Sequence, residues 1–169
     1  LGALRPSWFL YSDGFRSGRV HRFLKRAFDL MVSLALLVFS FPLLVLTAIA
    51  IKLESAGPIF YRQERVGLGG RPFSLLKFRS MAADAEKSGQ AQWAAANDPR
   101  VTRVGAVIRK TRIDEIPQAI NVLRGDMSFV GPRPERPRFV DMLATEIPYY
   151  HERHSVKPGI TGWAQLNYP

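Results

Sequence analysis

The apolar positions of this chain are distributed very unevenly. From Leu30 to Ile51 there is a run of 22 residues without a charge. As an α-helix such a run is about 33 Å long, the thickness of a bilayer core. The pattern therefore predicts a membrane helix over residues 21–53. Pro42 lies inside the run. It lacks an N–H, and its ring clashes with the carbonyl four residues back, at Val38. Ser40 stands two residues earlier and offers a hydroxyl to a freed backbone group, which hydrocarbon would leave unsatisfied at high cost. Two readings fit: a helix that crosses the bilayer, or one that enters, bends near Pro42 and returns to the same face. A buried helix of a soluble core is a weaker third, because core helices seldom run 22 residues without a charge.

Beyond the helix the pattern shortens. Ile59–Gln63 reads as a strand after the Gly57-Pro58 turn. Gly67-Leu68-Gly69-Gly70 reads as a turn and Pro72–Phe78 as a second strand, which together predict a hairpin. Residues 80–96 are alanine-rich and predict a helix, broken by Asn97-Asp98-Pro99. Residues 101–124 predict one helix, with Ile113, Ile116, Ile120 and Leu123 on its apolar face. Gly131-Pro132-Arg133-Pro134 is a rigid extended loop. Residues 136–153 predict a helix interrupted by Pro148, and the stretch from Pro158 reads as loop. Residues 1–20, with Trp8, Phe9, Tyr11 and Phe15, show no clear period and read as an interfacial arm. The chain starts at Leu1 rather than Met, which reads as a piece of a longer protein.

Charge sharpens this picture. The formal net charge is +10, with 24 basic and 14 acidic residues. Residues 1–29 carry net +4, residues 52–80 carry net +4, and residues 81–169 only net +2. The surplus flanks the apolar run on both sides, through Arg19, Arg22, Lys25 and Arg26 before it and Lys52, Arg62, Arg65 and Arg71 after it. A crossing helix concentrates Lys and Arg on its cytoplasmic side alone; here both flanks look cytoplasmic. The nearer polyanion is then anionic lipid rather than nucleic acid. The absence of cysteine excludes a thiol nucleophile, a disulfide scaffold and a thiolate metal site.

Candidate chemistry gathers at Arg109-Lys110-Thr111-Arg112-Ile113-Asp114-Glu115-Ile116-Pro117. Proline suits a helix first turn, so Asp114 and Glu115 are expected at or just before a helix N-terminus, an anion-friendly place. The surrounding cations are expected to hold both carboxylates ionised. A carboxylate pair can hold Mg²⁺ together with substrate phosphates. An ionised aspartate can attack phosphorus when a metal neutralises the phosphate. The plain alternative is a surface helix with pairs such as Arg112 with Glu115. Arg133, fixed between two prolines, suits bidentate phosphate binding. Lys77 and Arg79, in Lys77-Phe78-Arg79-Ser80-Met81, are candidate polyanion ligands, as is Asn97-Asp98-Pro99-Arg100. His151 and His154 read as structural.

In order along the chain, several motifs resemble one family. They are Lys25-Arg26-Ala27-Phe28-Asp29, Gly57-Pro58-Ile59-Phe60-Tyr61-Arg62-Gln63-Glu64-Arg65-Val66-Gly67, Lys77-Phe78-Arg79-Ser80-Met81 and Asn97-Asp98-Pro99-Arg100-Val101-Thr102. Further on come Asp114-Glu115-Ile116-Pro117-Gln118, Asn121-Val122-Leu123-Arg124-Gly125-Asp126-Met127-Ser128, Val130-Gly131-Pro132-Arg133-Pro134 and Lys157-Pro158-Gly159-Ile160-Thr161-Gly162-Trp163. Together they resemble the bacterial sugar transferases, the monotopic phosphoglycosyl transferases, over residues 22–167. The two ends of the chain are similar to a long-form, exopolysaccharide-associated branch.

The resemblance implies an α+β, mostly helical fold: a re-entrant membrane helix, interfacial amphipathic helices, and a small β-hairpin around the active site. It implies a linker over residues 1–20, the re-entrant helix over 21–53 with its kink at Ser40 and Pro42, and a cytoplasmic catalytic domain over 54–169. The family commonly continues past Pro169, and its helix break is often Ser-Pro, whereas here Phe41 stands between Ser40 and Pro42. The implied reaction moves a sugar-1-phosphate from a UDP-sugar to polyprenyl phosphate and releases UMP. Asp114 would be the nucleophile and Glu115 its partner, with Mg²⁺ at the pair. Arg109 and Arg133 would bind phosphate, helped by Arg112, Lys77 and Arg79. Lys25, Arg26 and Asp29 would sit at the membrane interface, on the cytoplasmic face of a bacterial inner membrane. A homo-oligomer is compatible with this reading, and a non-catalytic membrane adaptor is the competing one.

Overall fold

The structure is a computed structural model that describes residues 18–82, 85 and 98–162. The expected arm over residues 1–17, nearly all of the expected helix over 80–96, and the C-terminal motif from Trp163 lie outside the described residues. The element order is α1 (Arg19–Glu54), β1 (Phe60–Val66), β2 (Pro72–Phe78), α2 (Arg103–Lys110), α3 (Gln118–Arg124), β3 (Ser128–Val130), α4 (Pro137–Glu146) and β4 (Gly159–Thr161). Short 3₁₀ turns cover Leu68–Gly70, Ile113–Glu115 and Tyr150–Ser155. Mixed helix and strand with a small hairpin is thus the observed class. By length and composition, α1 is long and apolar enough to cross a membrane.

Helix α1 forms because its 36 residues are dominated by leucine, alanine and other apolar helix formers, with Lys52 in the last turn complementing the dipole. Pro42 is accommodated inside it. The Ser40 hydroxyl donates to the Leu36 carbonyl at 2.5 Å, not to Val38. Such back-bonding, beside a proline, bends helices. Bending is also required by what the two ends touch. Arg26 donates to the carbonyls of Val122 and Leu123 at 2.6 and 2.9 Å. Ile51 packs with Phe78 and Ile108. A straight helix would hold Arg26 and Ile51 about 37 Å apart. Yet Asn121, beside Val122, bonds Ser74 and Leu76 of β2, and Phe78 is two residues further, about 7 Å. Every remaining link is one side-chain contact, so a straight rod cannot reach both. Between its ends the helix exposes Val38, Phe39, Phe41 and Leu46.

The hairpin forms as the pattern predicts. β1 and β2 pair antiparallel from Phe60 with Phe78 to Val66 with Pro72. The free edge of β2 is covered by α3: Asn121, fully buried, accepts from Leu76 N–H and donates to the Ser74 carbonyl. This satisfies backbone groups that an open edge would leave to solvent or aggregation.

Three expectations are corrected. Residues 101–124 are not one helix: Arg112 adopts the left-handed conformation (φ 60°) and divides α2 from the turn and α3. With the direction changed there, the fully buried face of α3 is Ala119 and Val122, not Ile116, Ile120 and Leu123. A single helical period cannot be carried through a reversal. The last stretch is also not all loop, because β4 pairs in parallel with β3, Ser128 with Gly159 and Val130 with Thr161. Three-residue strands give too few alternations to show a period of two. The strands approach closely at Gly131, where an added Cβ would lie 2.3 Å from the Lys157 carbonyl oxygen.

The residues expected at the membrane interface also make specific protein contacts. Asp29, 3% exposed, accepts from Lys25 at 2.7 Å, from the Ser128 hydroxyl at 3.1 Å and from Phe129 N–H at 3.0 Å. Lys25 also donates to Ser128. Arg26 caps the last carbonyls of α3. Charge on a buried face is stable only when paired and hydrogen-bonded, and these residues latch α1 to α3 and β3.

Candidate active site

A cavity of about 430 Å³ opens between the hairpin, the 3₁₀ turn after α2 and the loop before α4. The seven catalytic and phosphate-binding candidates line it: Lys77, Arg79, Arg109, Arg112, Asp114, Glu115 and Arg133. So does Arg100, whereas Asp98 and Pro99 do not and Asn97 lies outside the described residues. The seven come from β2 and the residue after it, the end of α2, the turn, and the proline loop. The left-handed Arg112 makes this convergence by turning the chain so that the Ile113–Glu115 turn enters α3 through Pro117. Asp114 and Glu115 therefore stand just ahead of a helix, as the position of Pro117 predicts.

The two carboxylates have different surroundings. Asp114 is 6% exposed, and its Oδ1 has no hydrogen-bond partner among the described residues. Burial, and then the neighbouring Glu115 charge, push its pKa up to about 6; Lys77, Arg109 and Arg112 oppose this. The cations expected to hold both carboxylates ionised are outweighed at Asp114 by desolvation, which raises its pKa, yet a value of about 6 still leaves it mostly ionised at pH 7. Glu115 accepts from Arg112 at 3.4 Å and from Arg133 at 3.2 Å through one oxygen. The Arg112–Glu115 pair of the plain reading exists, but inside the cavity wall.

The cations also differ. Lys77 lies over the Tyr61 ring at 5.7 Å, and burial, then Arg65, hold its pKa below the usual lysine value. The Arg109 guanidinium makes no side-chain hydrogen bond among the described residues. Arg79 is otherwise engaged: 5% exposed, it donates to the carbonyls of Ala56 (2.6 Å) and Ser55 (2.8 Å) and to the Ser55 hydroxyl (2.9 Å). Those groups follow the end of α1, so Arg79 ties that helix to the hairpin while lining the cavity.

Arg133 is held by its backbone. Its carbonyl accepts from Arg153 at 2.6 Å, and Arg153 stacks over Tyr150 at 4.7 Å. Arg65 donates to the Pro134 carbonyl at 2.8 Å and to Gln63 at 3.0 and 2.5 Å. Gln63, Arg65, Glu135 and Phe139 also line the cavity, and sequence reasoning gave them no role. Alternation on β1, which turns Gln63 and Arg65 to one side, is the signal that could have found the first two.

No group of three or more metal-ligating side chains occurs among the described residues. Mg²⁺ does not need one, since it binds through one or two carboxylates together with waters and substrate phosphates. The unpartnered Oδ1 of Asp114 beside Glu115 is a hard-oxygen pair that fits such an ion.

Comparison with known proteins identifies the family. The family model for bacterial sugar transferases matches residues 20–169. A UDP-N-acetylgalactosamine-undecaprenyl-phosphate N-acetylgalactosaminephosphotransferase of Aeromonas hydrophila is 53% identical over 166 residues, 98% of this chain and 36% of that protein. UDP-glucose:undecaprenyl-phosphate glucose-1-phosphate transferases are similar too. That of Escherichia coli is 48% identical over 88% of this chain and 32% of its own length. That of Caulobacter vibrioides is 49% identical over 84% of this chain and 53% of its own length. The chain thus spans about a third to a half of these relatives. The family match runs from the second residue of α1 through every cavity residue, and on that extent the chain belongs to the bacterial sugar transferase family.

Proposed function

We propose that this chain is the transferase part of a membrane-bound phosphoglycosyl transferase. It moves a sugar-1-phosphate from a UDP-sugar to polyprenyl (undecaprenyl) phosphate and releases UMP, the first membrane step of a surface glycan such as an exopolysaccharide. Residues 54–169 are its catalytic domain. The observation that carries the reading is Asp114: a buried carboxylate with a free oxygen, facing a cavity of cations, in a family whose similar members act on UDP-sugars and undecaprenyl phosphate by name.

The chemistry divides into two displacements. In the first, Oδ1 of ionised Asp114 attacks the sugar-bearing phosphorus of the UDP-sugar. The bond from that phosphorus to the bridging oxygen breaks, and UMP departs with the electron pair. In the second, a phosphate oxygen of polyprenyl phosphate attacks the same phosphorus, and the Asp114 carboxylate leaves. Arg109, Lys77 and Arg133 provide positive charge for the phosphate oxygens, and Lys77 acts more strongly for being buried beside Asp114. Glu115 orients Arg112 and Arg133. Mg²⁺, held by Asp114 and Glu115, would supply neutralisation of the diphosphate charge.

The lipid acceptor presents its phosphate at the headgroup plane, so the dyad must sit there. The bent α1, latched at both ends to one domain, supports a re-entrant helix and a cytoplasmic location at the inner membrane. Single cysteines near Arg19 and Arg62 (the sequence has no cysteine) should react from the same side in intact vesicles; reaction from opposite sides would refute re-entry. For the reaction, UMP release from UDP-sugars with polyprenyl phosphate and Mg²⁺ is measured for the parent and Asp114→Asn. Loss in the variant alone supports the assignment. Equal rates refute the nucleophile, and an inactive parent points to the adaptor reading.

A further inference from the structure

Resting on the transferase reading, we propose that Glu135 is the sugar-hydroxyl-reading residue of the cavity. A pyranose presents hydroxyl donors, and it is held best by a carboxylate with spare acceptor capacity. Three carboxylates line the cavity: Asp114, Glu115 and Glu135. Asp114 is assigned to the phosphorus, and Glu115, whose Oε1 accepts from Arg112 and Arg133, is assigned with it to Mg²⁺. The Gln63 amide is also engaged, with its oxygen accepting twice from Arg65 and its nitrogen donating to Tyr61 at 3.0 Å. Glu135 is different. Its side chain receives one long hydrogen bond, from Arg65 at 3.4 Å to Oε2. That leaves its Oε1 without a partner among the described residues.

Its position follows from the loop. Pro134 is buried, while Arg133 and Glu135, on either side of it, line the cavity. The loop is extended, so these two residues stand about 6 Å apart. Arg133 reaches Glu115, at the phosphorus end. A step of about 6 Å beyond a phosphate is the span of one sugar ring. The loop is also rigid. Arg153 holds the Arg133 carbonyl, Arg65 holds the Pro134 carbonyl, and Val66 N–H donates to the Glu135 carbonyl at 2.9 Å. Glu135 is thereby placed without further ordering when substrate binds.

The test compares Glu135→Gln with the parent, in detergent-solubilised protein with Mg²⁺ and polyprenyl phosphate. The donor is whichever of UDP-glucose, UDP-galactose, UDP-N-acetylglucosamine and UDP-N-acetylgalactosamine the parent uses fastest. Loss of a hydrogen bond to a charged group predicts a fall in kcat/KM for that donor of about 10- to 100-fold. Inhibition by UDP, which has the phosphates but no sugar, should change less than about twofold, as should KM for polyprenyl phosphate. Equal weakening of UDP and UDP-sugar would overturn the proposal, because Glu135 would then act only by holding the arginine loop. Unchanged kcat/KM for the donor would overturn it as well. A parent that uses no donor would overturn the transferase reading and the assignment with it. Should the amide variant not fold, Glu135→Asp, which keeps the charge toward Arg65, replaces it with the same expectations.

Discussion

Replacing Asp114 by asparagine should make the protein more stable while stopping its reaction. The side chain keeps its shape and loses its charge. In the native state the carboxyl is 6% exposed and its pKa rises from 3.8 to about 6. At about 1.4 kcal/mol per unit, this rise is worth about 3 kcal/mol. An acid with a raised native pKa binds its proton more tightly when folded. The cost of its charge is therefore absent below pH 3.8, grows as pH rises toward about 6, and is fully present above that. At pH 8 Asp114→Asn removes that cost, which already nets off the attraction of Lys77, Arg109 and Arg112; about 3 kcal/mol is the ceiling, because the buried amide N–H groups need partners of their own. For a domain of this size 1 kcal/mol moves the melting point by about 2–4 °C, so the ceiling is a rise of about 6–12 °C. Thermal unfolding in detergent at pH 8, 6 and 4 measures it, and the gain should shrink as pH falls. A variant that melts at or below the parent at pH 8, or a gain independent of pH, would refute the reasoning. Stability given up at a nucleophile is a familiar trade in enzymes.

Three further outcomes follow from the same geometry. UMP release should show an acid limb near pH 6, falling about tenfold per unit below it, as Asp114 takes up its proton; a limb near the ordinary aspartate value would contradict the burial argument. Asn121→Ala leaves Leu76 N–H and the Ser74 carbonyl unsatisfied at a buried edge, and should cost about 2–5 kcal/mol in denaturant unfolding. Gly105→Ala would place a Cβ 2.0 Å from the Ser80 carbonyl oxygen, a backbone atom that cannot swing aside; α2 must shift, and with it Arg109, so both melting point and kcat/KM should fall.

Much was legible in the sequence because it rests on local rules. A long uncharged run forms a helix whatever surrounds it, and α1 spans Arg19–Glu54 where residues 21–53 were expected. The second strand was predicted as Pro72–Phe78 and is observed there, since the glycine turn and the proline mark its start. Pro117 placed Asp114 and Glu115 ahead of a helix because proline is restricted in every context. The ordered motifs carried the family, which depends on residue identity alone.

Other features depended on contacts that no window of sequence contains. The left-handed Arg112 has no glycine to announce it; the packing around it imposes the turn. Lys25, Arg26 and Asp29 look like a membrane flank, yet they bind α3 and β3 across about a hundred residues of chain. Arg79 reads as a phosphate ligand, and its bonds to the end of α1 are visible only in the fold. The raised pKa of Asp114 comes first from burial, which the identity of its charged neighbours could not reveal. The sequence by itself determined the long apolar helix, the hairpin, the family and the candidate residues for chemistry that meet in the cavity. Only the tertiary structure decided how the charges are shared among them, because desolvation and hydrogen-bond pairing are properties of three-dimensional neighbours and not of spacing along the chain.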